Sequence, residues 1–175
     1  MRKEIAYAGR RDFRFVTVRR GGALVDSQHR LLAAWAADCA EHVLDYFGWQ
    51  HPDDDRPKRA IEQARAWSRG EISMTQARQA AYAAFAAAKT ATGAARESAR
   101  AAGHAVATAH MADHELCAAA YALRAVRAAA SIDTRDDDGR IECYWQRERL
   151  PDAIRALVLS DESLRNHKFW SLFQC

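Results

Sequence analysis

Gly103-His-Ala-Val-Ala-Thr-Ala-His-Met-Ala-Asp-His114 is the stretch whose reading decides the fold, and Trp35-Ala-Ala-Asp-Cys-Ala-Glu-His42 is its counterpart nearer the N-terminus. Both are alanine-dense, and alanine is the strongest helix former. Both set Asp and His at three- and four-residue steps, which places them on one side of a helix. Titratable groups inside apolar sequence are costly unless paired. The two rows therefore predict helices that face each other and satisfy one another. The expected interhelical polar cluster consists of Asp38, His42, His104, His110, Asp113 and His114, with His104 read as a packed or capping residue.

Working outward, the rest of the 175 residues fits the same picture. Half the residues are apolar, and only three prolines and eight glycines interrupt them. The fold expected is all-α, a single-domain bundle or array of about six helices. Helices are predicted from Asp26 or Ser27 to about Phe47, from Pro57 to about Arg69, and from Ser73 or Thr75 to about Ala91. A long, bent helix is expected from Ala94 to Ala130, then a charged loop over Asp133–Gly139. Further helices are expected over Ile141–Arg149 and from Pro151. Residues 26–160 form the helical core in this reading. The tail 161–175, with Phe169, Trp170 and Phe173, is too apolar to hang free and packs back.

Residues 1–25 read as a basic extended arm or short strand, because Phe13, Phe15 and Thr17 alternate with basic residues. The arm carries seven basic groups against Glu4 and Asp12, so the excess of +3 resides there and the remainder is slightly acidic. Such an arm suits a solvated edge better than a nucleic-acid surface, because its basic residues are not interleaved with aromatics over a long face. The four cysteines follow no C-x-x-C spacing and are expected to be reduced. The charged N-terminus lacks the apolar core of a secretory signal, so the protein is expected to be cytoplasmic, with no membrane partner.

No phosphate-cradling glycine loop, nucleophile elbow or H-E-x-x-H pair is present. Cys39 and His42, three apart among alanines, lack the access a nucleophilic dyad needs. The Asp53-Asp54-Asp55 run reads as a turn and helix cap rather than a calcium loop. The one chemical alternative is a transition-metal site. Helices that supply two ligands each build such sites, and Asp38, His42, His110 and His114 are its weak candidates. A structural or interface cluster without metal, cofactor or catalysis is the preferred reading.

A succession of motifs adds a family resemblance. Gly21-Gly-x-Leu24, His29-Arg-Leu-Leu32, Trp35 to His42 and Asp54-Asp-Arg-Pro-Lys-Arg-Ala-Ile-Glu62 come first. Ala64-Arg-Ala-Trp-Ser-Arg-Gly-Glu71, Ala102 to His110 and Trp145-Gln-x-x-x-Leu-Pro151 follow in order. Over residues 20–160 the chain resembles bacterial immunity proteins likened to the fifth immunity-protein class of polymorphic toxin systems. The resemblance implies a helical cytoplasmic protein that binds a cognate toxin and neutralises it without catalysis. A net positive chain departs from the acidic inhibitors that basic nucleases attract, so the toxin class is left open. The polar edges of the cluster helices and the 50–57 turn are the expected contact surface.

Overall fold

The computed structural model describes residues 11–175; the first ten residues of the basic arm lie outside them. Eight α-helices follow in order: α1 (Asp26–His42), α2 (Asp45–Gln50), α3 (Arg56–Ser68), α4 (Met74–Thr90), α5 (Gly93–Ala107), α6 (Glu115–Ala129), α7 (Arg135–Glu148) and α8 (Asp152–Arg165). The all-α expectation holds, but the helix count is eight rather than six. Antiparallel packing of α5 on α6 and of α4 on α5 forms the middle of the array, with α1 and α3 laid against α5.

Alanine makes this close packing possible. Ala77, Ala81 and Ala84 on α4, Ala101, Ala102 and Ala105 on α5, and Ala118, Ala119 and Ala122 on α6 are all buried. Larger side chains fill the remaining space, notably Leu32, Trp35, Leu116, Leu123 and Ile154. Gly103 marks a close approach of α5 to α4: a Cβ there would lie 2.6 Å from the Phe85 ring. The start of α4 follows its sequence signal, since Ser73 and Gln76 form a reciprocal capping box.

The extra helices come from two breaks that tertiary contacts impose. The helix expected to reach Phe47 stops at His42, where the Ser98 hydroxyl donates to the Val43 carbonyl at 2.8 Å. Gly48, expected to end that helix, lies inside α2. The long helix expected from Ala94 to Ala130 breaks after Ala107, and a 3₁₀ turn over Ala112–His114 leads into α6. There the His29 imidazole donates to the Thr108 carbonyl at 2.6 Å, drawing it away from helical pairing. The expected charged loop over Asp133–Gly139 becomes, from Arg135 onward, the first turn of α7. Asp136, Asp137 and Asp138 occupy that turn, where acidic groups favour the helix dipole.

No strand forms in the described part of the arm. Phe13–Phe15 and Val18–Arg20 are 3₁₀ turns, joined to the next segment by a single bridge between Thr17 and Leu24. Phe15 and Leu24 are buried in the core, so apolar anchoring shapes this segment. α8 runs on to Arg165, past the expected core boundary at 160, and the tail then folds back. Trp170 and Ser171 take left-handed backbone angles, and Asn166 holds Phe173 by two hydrogen bonds of 3.0 and 3.2 Å. The reversal brings Cys175 to Cys143 of α7, with Cα atoms 5.9 Å apart and the sulfurs bonded. This corrects the expectation of four reduced thiols; Cys39 and Cys117 remain free.

Candidate functional site

The six residues singled out in the sequence fall in separate places. Asp38 accepts from Arg65 of α3 at 2.8 Å, and the same guanidinium reaches Glu41. This is a half-exposed ion pair that fastens α1 to α3. His42 turns toward α7 instead. Its Nδ1 lies 2.7 Å from the buried Glu142 carboxylate and, with an acceptor facing it, carries the proton. The His42 ring stacks on Trp145 with centroids 3.6 Å apart, and Arg149 covers the other face of the indole at 3.7 Å. Gln146 completes the arrangement by donating to Glu142 at 3.0 Å and to the Ala119 carbonyl at 3.2 Å. Burial pushes the Glu142 pKa up, against the pull of His42.

His104, His110, Asp113 and His114 gather elsewhere, where α5 ends and α6 begins. Nδ1 of His104 lies 2.9 Å from Nδ1 of His114, and the His110 and His114 rings are 5.7 Å apart. Tyr121 stacks on His104 at 5.1 Å, and Phe85 meets it edge-on at 4.9 Å. Burial lowers the pKa of all three imidazoles, that of His104 to about 3. Asp113 faces Arg11 at 3.4 Å, and its carbonyl accepts from Arg165. Arg165 also bonds to Asp161 and lies 3.7 Å from the fully buried Glu115, tying α6 to α8. Asp38 and His42 share no partner with these histidines, so the four weak metal candidates are not one ligand set. Among the described residues, the convergent set of possible ligands is His104, His114 and Cys117.

Two of the cavities along α1 differ in the charge of their walls. A groove of about 890 Å³ has His42 and Glu142 in its wall, together with Tyr46, Trp49, Asp138 and Ile141. Among the described residues, no lysine or arginine lines it. Trp49 is 75% exposed and Ile141 66%, and both stand on the lining of this one groove. A smaller cavity of about 370 Å³ is lined by Arg11, Arg19, Arg20, His29, Trp67 and His110 among others, with no acidic side chain among the described residues.

Glu142, Trp49 and Ile141 went unnoticed in the sequence. Glu142 and Gln146 stand four apart beside the buried Cys143, so the α7 stripe did carry a signal of polar groups on an inward face. Trp49 carried none, because its exposure depends on where α1 breaks.

The sequence matches, over residues 22–153, the family described as "Imm-5 like putative immunity protein". The chain belongs to this family. The match spans α1 through α7 and so takes in the large groove, His42 and the histidine cluster between α5 and α6. No curated protein and no solved structure matches the chain. As in the sequence reading, no helix among the described residues is long and apolar enough to cross a membrane.

Proposed function

We propose that this protein neutralises a cognate bacterial toxin by binding it, without turning over a substrate, and that the groove between α2, α5, α6 and α7 is where the toxin seats. Family membership supports the immunity role. The observation that carries the site is a groove whose rim exposes Trp49 and Ile141 and whose charged lining is acidic. Large aromatic side chains dominate the energetics of protein recognition. Asp138 makes no ion pair among the described residues, so the groove favours a toxin segment that presents a basic side chain beside an apolar one. The chain's overall charge of +3 does not oppose this, because its basic excess lies in residues 1–25.

The role is tested by co-expressing the product of the adjacent toxin gene and measuring rescue of growth, with affinity followed by calorimetry on the purified pair. Trp49→Ala and Ile141→Asp are each expected to weaken binding at least about 30-fold, the scale of a recognition anchor. Their thermal midpoints should stay near wild type, because both side chains face solvent. A toxin that binds both variants as tightly as wild type moves the site off this groove. A protein that neither binds nor neutralises the toxin ends the immunity reading.

A further inference from the structure

We propose that His104, His114 and Cys117 form a binding site for a zinc-type divalent cation where α5 hands over to α6. One ligand atom of each residue lies within 4.8 Å of the other two. Zinc holds imidazole nitrogen at about 2.0–2.1 Å and thiolate sulfur at about 2.3 Å, so its ligands sit roughly 3.3–3.8 Å from one another. The observed cluster closes on an ion with small side-chain adjustments. Two nitrogens and one sulfur form the borderline-soft donor set that zinc prefers over magnesium or calcium.

The backbone already sets the three residues in place. His114 and Cys117 are three apart across the start of α6, on one side of it, and His104 reaches them from the last turn of α5. The packing of α5 against α6 fixes the distance between the two elements. The His104 ring is confined by Tyr121 on its face and Phe85 at its edge. Its Nδ1 faces the His114 Nδ1 at 2.9 Å. Without an ion, only one of these nitrogens can offer a proton to the other, whereas a cation uses both lone pairs.

Imidazole ligates metal through an unprotonated ring nitrogen, and the Nδ1 atoms of both rings already turn toward one point. The Cys117 thiol, pushed up to about 12 by burial, would release its proton to solvent on binding, and no electron moves. Arg11 and Arg165 near His114 and Arg100 near His104 oppose a divalent charge. The new thiolate and the Asp113 carboxylate, which faces Arg11 at 3.4 Å, counter part of that repulsion. Three protein ligands leave a fourth position for water. The site is independent of the toxin reading, because none of its residues lines the large groove.

The experiment uses untagged full-length protein, stripped with chelator and titrated with Co²⁺ and then Zn²⁺. One equivalent of cobalt should give tetrahedral visible bands and a thiolate charge-transfer band in the near ultraviolet, both bleached by zinc. Cys117→Ala should lose the charge-transfer band and at least about tenfold in zinc affinity, and His114→Gln should lose affinity similarly. His42→Ala should bind as wild type. Circular dichroism establishes that each variant is folded. Failure of wild type to saturate at one equivalent, absence of the thiolate band, or unchanged affinity in folded Cys117→Ala and His114→Gln overturns the proposal.

Discussion

The two ends of α1 each carry a histidine that reaches across the chain to a distant helix and packs on a tryptophan, yet they do different work. His29, near the start, is buried; it donates to the Thr108 carbonyl at 2.6 Å and tilts against Trp67. His42, at the end, has a side chain 41% exposed, bonds to a carboxylate and stacks flat on Trp145. Basic residues line the cavity beside the first, and acidic ones the groove beside the second. A buried imidazole on a neutral carbonyl locks two helices. A half-exposed imidazole on a carboxylate holds a polar wall in place and still faces whatever enters the groove.

The largest effect that separates the two ends should come from the Cys143–Cys175 bond, because Cys143 adjoins Glu142. The bond spans 32 residues, and cutting it by reduction or Cys175→Ser should cost about 3–4 kcal/mol in denaturant titration. Hydrogen exchange should then quicken in α7 and α8 and leave the His29–Thr108 contact protected. Loss of protection at both ends alike would mean the ends are not separable.

The next two variants weigh the histidines directly. His29→Ala removes a buried ring and leaves the Thr108 carbonyl without its donor, a loss of about 2–3 kcal/mol. His42→Ala should cost less, about 1–2 kcal/mol, although it strands the buried Glu142 with Gln146 alone. A double-mutant cycle with Glu142→Gln should show coupling of at least about 0.5 kcal/mol. An order reversed between the two alanine variants would break the comparison.

Acidification gives the smallest effect. Burial lowers the pKa of His29, a pull that Arg11 and Arg19 reinforce and that the Thr108 carbonyl and Asp26 oppose. The unfolded chain therefore gains a proton in the ordinary imidazole range while the native ring stays neutral. The stability contributed is fully present above that range and is lost as pH falls toward the depressed native value. Buried Glu115, Glu142 and Glu162, with raised pKa values, give the opposite slope, so the readout is the difference between wild type and His29→Gln. Wild type should lose under about 1 kcal/mol relative to that variant between pH 7 and pH 6.

How much of this was legible follows from where each signal resides. Helical character was, because alanine spacing and a Ser73 or Thr75 start are local signals. Helix ends at Val43 and Thr108 were not: each depends on a side chain far along the chain, Ser98 in one case and His29 in the other. The disulfide was hidden for the same reason, since nothing in the spacing of the cysteines reveals that the tail turns back at Trp170. The histidines and aspartates stood out as costly groups needing partners. Which partners they find depends on packing, and Arg65 and Glu142 answered for Asp38 and His42.

The bare backbone at Gly103 has a consequence one residue along. Phe85 occupies the space a methyl group would take, and the same ring abuts the edge of His104. Adding a side chain at 103 would shove the phenyl ring aside and swing the neighbouring imidazole with it. The nesting of two helices thus doubles as a gauge that keeps His104 aimed at His114.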